Sequence, residues 1–385
     1  MGALLGVLLL TVTACSGSDG AEEETEEETH AAVALTIAPE DGAEGVPTTG
    51  GLAVSAEGGT LTEVTVVGPE DQEVAGEITE EGDAWAPTEA LANDAEYTVT
   101  AVGENAAGES ETAIAGFTTV AAEATFSSSW NIPDGSEVGV GMELSVTFDT
   151  PIANTAEVRD AIRITTDPPV EVRGHWFGEQ RVDFRPEEYW APGTEVEVSF
   201  RIRGVEGADG VFGTLREDIS FTVGRSQVTT VDAAAHTMEV VRDGENLRTV
   251  PITAGAPGTE TWNGKMVITE KFRETRMDGA TVGFGGEYDI PDVPHAMRLS
   301  TSGTFVHGNY WASSGTFGSA NVSHGCVGLA DVQGAGDPNT DAAWFYENSM
   351  IGDVVEVINS EDDVIAPDNG INGWNMDWAD WGAGQ

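Results

Sequence analysis

Cys326 is one of only two cysteines in the chain, and it lies in the stretch 307–329, HGNYWASSGTFGSANVSHGCVGL. The thiolate, not the thiol, is the nucleophile, so a cysteine that works at neutral pH needs a base. Imidazole titrates in the right range to serve, and His307 and His324 stand in this same stretch with Ser323 beside the second. A cysteine and a histidine brought together in space are the minimum set for covalent acyl transfer. The bland alternative is a buried, inert thiol with two structural histidines. Elsewhere, His175 beside Trp176 has no histidine or cysteine at ligand spacing, so no metal ligand is assigned there. No motif calls for a metal or an organic cofactor.

The spacing carries more than composition. His307 is followed by fifteen residues and then by Ser323-His324-Gly325-Cys326-Val327. This resembles the signature of L,D-transpeptidases with a YkuD-type catalytic domain: a histidine, about fifteen residues, Ser or Thr-His-Gly-Cys, a hydrophobic residue and Asn. The Asn position holds Gly328. The resemblance implies a mostly β catalytic domain over about 226–359. It implies that Cys326 is the nucleophile and that His307 is the general base and later acid. The Gly308 backbone carbonyl would orient the His307 ring, where some relatives have Ser. His324 is expected to face the pocket, Ser323 to hydrogen-bond within the motif, and the Gly325-Cys326 turn to offer backbone N–H groups to an oxyanion. Gly325 lets the chain approach the reacting carbonyl closely. Met277, Tyr288 and Trp311 are expected to line the donor pocket, with Gly279, Gly283, Gly285 and Gly286 making a flexible lid.

The reaction so implied is acyl transfer on peptidoglycan stem peptides, from a tetrapeptide donor to a diamino-acid acceptor. D-Ala leaves and a 3→3 cross-link forms. Carbapenems are expected to acylate the thiol. Two rivals stand beside it: an L,D-carboxypeptidase on the same fold, with water in place of the amine, and a non-catalytic wall-binding lipoprotein. A monomer is expected.

The elements that must carry this segment begin with an address. Residues 3–14, ALLGVLLLTVTA, form an apolar run too short to span a bilayer. It ends at Cys15 behind small residues, which resembles a lipobox, so 1–15 read as a lipoprotein signal with Cys15 lipidated. Residues 16–31 follow as an acidic tether with six glutamates between Glu22 and Glu28, a composition that cannot bury a core.

Short alternating runs then appear, such as 61–67 and 97–102, punctuated by Gly, Asn, Asp and Pro. They predict two immunoglobulin-like sandwiches, at 32–121 and 122–225. The second has clearer strands at 143–148, 181–184 and 195–202. Both close on similar phrases, GFTTV at 116–120 and SFTV at 220–223. The fold class is mainly β: two sandwich modules, the catalytic domain and a Trp-containing tail at 360–385. In that tail Trp374, Trp378 and Trp381 stand at i, i+4 and i+7, which predicts one face of a helical segment packed back on the body. Trp130, Trp176 and Trp190 are expected in the module core rather than on a binding surface.

Charge limits the partners. The chain has 67 Asp and Glu against 16 Lys and Arg, a formal net charge of −51. No Lys or Arg precedes Arg159 or follows Arg298. Nucleic acid is excluded as a partner, because phosphate binding needs basic groups. An anionic membrane surface is disfavoured too, so attachment is expected through the N-terminal lipid alone, on the outer face of the cell membrane. Solubility and adaptation to high salt both account for the acidity.

Overall fold

The computed structural model describes residues 31–283 and 285–382. The signal segment, Cys15 and nearly all of the acidic tether lie outside the described residues.

The first module is a pair of four-stranded sheets. One orders the strands Ala34–Ala38, Ala53–Glu57, Ala84–Pro87 and Gly76–Ile78; the other orders Ala43–Val46, Ser110–Thr119, Glu96–Glu104 and Thr60–Val67. Strict alternation along Glu96–Glu104 puts Tyr97, Val99 and Ala101 inside with Trp85 and Phe117, as a half-buried strand requires. The second module repeats the plan, with Ser128–Trp130, Leu144–Phe148, Arg181–Pro186 and Val172–Trp176 facing Ser136–Val138, Arg216–Val223, Glu195–Arg201 and Ile162–Asp167. The two similar closing phrases occupy equivalent places. Each ends a long strand that takes a short parallel partner, Ala43–Val46 in one module and Ser136–Val138 in the other. Trp176 and Trp190 are buried in the second core, and half-buried Trp130 stacks on Phe200 at 4.6 Å.

The catalytic region is one nine-stranded sheet. Its strands are β1 (Gln227–Asp232), β2 (Thr237–Arg242), β3 (Glu245–Thr253), β4 (Gly264–Val267), β5 (Glu270–Asp278), β6 (Asp289–Arg298), β7 (Phe305–Asn309), β8 (Val327–Ala330) and β9 (Val354–Ile358). Their order is β4-β9-β1-β2-β3-β8-β7-β6-β5. Helix α1 (Asp341–Asn348) is capped by the Thr340 hydroxyl, which accepts from the Ala343 N–H at 3.2 Å. The pairing that matters is parallel: β7 lies beside β8 with His307 opposite Gly328 and Asn309 opposite Ala330. Val306, Val327 and Leu329 enter the core, so alternation sends His307, Asn309, Cys326 and Gly328 to the other face.

The second module and the catalytic region meet backbone to backbone. Gly139 N–H donates to the Ile351 carbonyl and Gly141 N–H to the Gly352 carbonyl, each at 2.8 Å. A Cβ at Gly139 would stand 2.3 Å from Asp353 N, so this approach requires glycine.

The tail does pack back at that junction, but it is not the expected helix. Among the described residues it has one 3-10 turn, Gly373–Asn375, and a single β-bridge from Val364 to Asn263, with turns and irregular backbone elsewhere. Side-chain bonds to strand β4 take the place of a helical ladder. The Asn375 carboxamide accepts from Lys265 N–H at 2.8 Å and donates to the Lys265 carbonyl at 2.7 Å, while Asn372 accepts from Val267 N–H. The three indoles converge on one guanidinium instead of on one helix face: Arg185 lies 4.9, 5.4 and 4.3 Å from the rings of Trp374, Trp378 and Trp381.

Candidate functional site

Strands β7 and β8 set the geometry. Because they run parallel and adjacent, His307 on one and Cys326 at the start of the other share a face. Both are buried, at 4% and 9% exposure. With Met277, Tyr288, Trp311 and His324 they line a pocket of about 340 Å³. All six residues that the motif and the lid reading named for this pocket are therefore brought together.

The ring of His307 is fixed by its own strand. Its Nδ1 lies 2.8 Å from the Gly308 carbonyl. A carbonyl only accepts, so Nδ1 carries the proton and Nε2 presents a lone pair. Trp311, 45% exposed, stacks over the imidazole at 5.7 Å. Burial, chiefly, pulls the His307 pKa below its ordinary value, against the opposing influence of the Gly308 carbonyl and Asp331. Burial pushes the Cys326 thiol up to about 11. The resting pair is thus neutral thiol and neutral imidazole, not a preformed ion pair. The thiol rests against the Gly303 carbonyl, with Sγ at 3.6 Å.

The turn before Cys326 is tightly specified. The Ser323 hydroxyl donates to the Cys326 carbonyl at 2.5 Å and accepts from Gly325 N–H at 3.2 Å. Gly325 has φ +106°, a region that side-chain-bearing residues rarely adopt. Gly325 N–H, one of the donors expected to face an oxyanion, closes the Ser323 turn in this structure. The segment is stitched to the loop after β3: Ser323 N–H donates to Ala254, and Ser323 accepts from Ala256 N–H and the Thr259 hydroxyl.

The segment expected to form a lid is the β5–β6 hairpin. Met277 is the penultimate residue of β5, and Tyr288 precedes β6 and lies with its ring 5.1 Å from that of His324. His324 Nε2 is 3.1 Å from a carboxylate oxygen of exposed Glu287, so the lid touches the motif directly. Gly283, Gly285 and Gly286 all have positive φ and open space around them, whereas Gly279 is buried in a 3-10 turn. Burial lifts the Tyr288 phenol to about 12, with the neighbouring Cys326 as a further cause.

Behind the site lies a group that the sequence did not announce. Asp331 is buried on the α1 side of the sheet, its carboxylate 2.7 Å from His295 Nδ1 and accepting from the Thr340 hydroxyl at 2.9 Å. A Cβ on Gly308 would stand 2.0 Å from Asp331 Oδ2. The carboxylate therefore occupies the place of the missing side chain. The one available signal was a histidine, His295, inside the apolar run VPHAM. Asn309, also in the pocket, was likewise missed.

Among the described residues there is no group of three or more His, Cys, Asp or Glu able to hold a metal ion. The arrangement is suited to chemistry by thiol and imidazole, with a base of fixed tautomer, a dry nucleophile and an adaptable cover.

Comparison with known proteins agrees with this geometry. Residues 226–357 match the L,D-transpeptidase catalytic domain family, and residues 43–206 match a bacterial Ig domain family. The chain is 33% identical over 356 residues to L,D-transpeptidase 2 of Mycobacterium tuberculosis (strain CDC 1551 / Oshkosh), covering 91% of this chain and 84% of that one. It is 30% identical to L,D-transpeptidase 5 of Mycobacterium tuberculosis (strain ATCC 25618 / H37Rv), over 90% and 76% of the two chains. A solved L,D-transpeptidase in complex with imipenem superposes with a TM-score of 0.50 at 32% identity, over 60% of this chain and 97% of that one. With the thiol, the imidazole and the strand pairing that joins them in place, the chain belongs to the L,D-transpeptidase family and is an enzyme of that family.

Proposed function

We propose that the protein forms 3→3 cross-links between peptidoglycan stem peptides through a thioester on Cys326. The observation that carries this reading is the shared pocket face of Cys326 and His307, with the His307 tautomer fixed by Gly308.

The donor is a tetrapeptide stem. Cys326 Sγ attacks the carbonyl of its third residue while His307 Nε2 takes the thiol proton, so charge separates only as the S–C bond forms. The C–N bond to terminal D-Ala then breaks, and the departing nitrogen receives that proton from His307. The side-chain amine of an acceptor diamino acid attacks the thioester and gives a proton to Nε2. The sulfur leaves and recovers the proton. No atom is left over, and no cofactor is required. Trp311 shields the imidazole on one side and the lid closes the other, which keeps water from the thioester.

Sequence outside the described residues supports an extracellular setting. The apolar run ending at Cys15 is proposed as a lipoprotein signal, and 16–31 as a tether that lets a monomer on the outer face of the membrane reach into the wall.

The test is intact-protein mass after mixing the chain from residue 32 onward with a carbapenem, beside Cys326→Ala. One drug mass on the wild type and none on the variant is the expected result. Incubation with a tetrapeptide stem and a diamino-acid acceptor is then expected to give the cross-linked dimer. Free tripeptide without dimer would instead assign the carboxypeptidase reaction. No adduct on folded protein would overturn thiol catalysis.

A further inference from the structure

Position 328 holds glycine where the motif carries Asn. Nothing in its backbone demands glycine, since Gly328 is absent from the residues of positive φ. Space is what it lacks. A Cβ on Gly328 would stand 2.9 Å from Thr253 Cγ2, and 3.4 Å from both Cβ and Nδ2 of Asn309. The contact with Thr253 would oblige a neighbour to move, and the Asn309 atoms already stand at van der Waals distance, so a side chain longer than a methyl at 328 would meet them.

The sheet explains why these atoms meet. Gly328 on β8 is flanked by His307 on β7 and by Thr253 on β3. Asn309 is two residues beyond His307 on the same face, so its side chain leans across the gap that Gly328 leaves. Asn309 is 4% exposed and lines the pocket with His307 and Cys326. Its Oδ1 accepts from Ala312 N–H at 2.9 Å. That bond fixes which way the amide points, so Nδ2, with its two N–H donors, is the end against Gly328. Thr253 is held in turn, its hydroxyl donating to the Ala320 carbonyl at 2.8 Å and accepting from Val322 N–H at 3.1 Å.

We propose that Asn309 supplies from β7 the carboxamide that the motif supplies from β8, and that its Nδ2 donates to a carbonyl oxygen of the acyl-donor peptide beside Cys326. The glycine is the clearance that makes the relocation possible. A peptide donor is rich in acceptor oxygens, and a buried, preoriented N–H donor discriminates strongly for a group that can accept. This rests on the acyl-transfer reading of the same pocket.

The experiment is a swap. Asn309→Ala, Gly328→Asn and the double variant are compared with wild type for carbapenem acylation rate by mass, and for kcat and KM with a tetrapeptide donor. Asn309→Ala is expected to lose about tenfold to a hundredfold in kcat/KM, the value of one buried hydrogen bond. Gly328→Asn alone is expected to lose activity through crowding of Asn309 and Thr253. The double variant is expected to recover to clearly above Asn309→Ala, because either strand then presents one amide, with the remaining deficit set by the contact with Thr253. Asn309→Asp keeps the acceptor for Ala312 N–H but removes the donor, and serves if Asn309→Ala does not fold; it too is expected to lose activity, and Gly328→Asn is not expected to rescue it, because the carboxylate still fills the gap. A folded double variant no better than the single Asn309 variant overturns the proposal, as does an Asn309 variant of full activity. A wild type that takes no adduct on Cys326 overturns the acyl-transfer reading, and this proposal with it.

Discussion

At the scale of single residues, the pair of His307 and Cys326 is set by burial. Burial lowers the His307 pKa and raises the thiol to about 11. Both shifts favour the neutral forms, and the sign of the pH dependence follows. The competent state needs an unprotonated imidazole, so the acylation rate is expected to climb as pH rises through a His307 pKa below the usual imidazole value. It should then hold level over the neutral and mildly alkaline range, because the thiol does not ionise until far higher pH. A thiolate–imidazolium pair would give a different curve, with a falling limb where the imidazolium loses its proton. Second-order acylation rates with a carbapenem, measured across pH, separate the two. His307 and Cys326 were legible from spacing alone, since fifteen intervening residues and a short motif specify them. Asp331 and Asn309 were not, because a carboxylate or an amide acquires a role only from what lies across the sheet from it.

At the scale of elements, β7 and β8 carry the site, and both of their faces are constrained. On the pocket face Gly328 yields to Asn309; on the α1 face Gly308 yields to Asp331. A serine at 308, which some relatives have, would set its Cβ on the Asp331 carboxylate. Gly308→Ser is therefore expected to displace Asp331 from His295 and Thr340 and to lower stability by about 2 kcal/mol, the scale on which a buried hydrogen-bonding group left without its partners costs. Urea unfolding of the variant checks this, and a midpoint equal to wild type would show that the carboxylate relocates without penalty. The strands themselves were well marked. Alternation placed 97–102 inside the observed Glu96–Glu104, and 195–202 over Glu195–Arg201. Their neighbours in the sheet were not marked, because the β7–β8 pairing is parallel and bridges a seventeen-residue connection that no local turn signal can encode.

At the scale of the whole molecule, the second module, the catalytic sheet and the tail form one packed unit. Its weak point is a carboxyl. Glu143 is fully buried near the junction, and desolvation first, then Asp183, holds its pKa well above the ordinary value, with Arg185 and Arg181 opposing. A group whose folded pKa is raised contributes stability below its unfolded pKa and loses it as pH rises through the folded one. Glu143→Gln removes that titration. The variant is expected to exceed wild type in Tm at about pH 8, and to lose less stability than wild type between about pH 5 and about pH 8. Parallel curves for the two proteins would mean that Glu143 is ionised within the fold.

The sequence by itself determined the family and the class of architecture. A motif of fixed spacing picks out one cysteine and its histidine, and alternating short runs name sandwiches, since both are written in local order along the chain. The tertiary structure alone decided how the site is completed and how the parts are joined. It set the three tail indoles around Arg185 in turns rather than on a helix, closed the Ser323 turn with Gly325 N–H, and filled the spaces at Gly308 and Gly328 with Asp331 and Asn309. The physical reason is the same in each case. Whether a side chain or a hydrogen-bond donor has room and a partner depends on atoms brought alongside by packing, and sequence order does not carry that information.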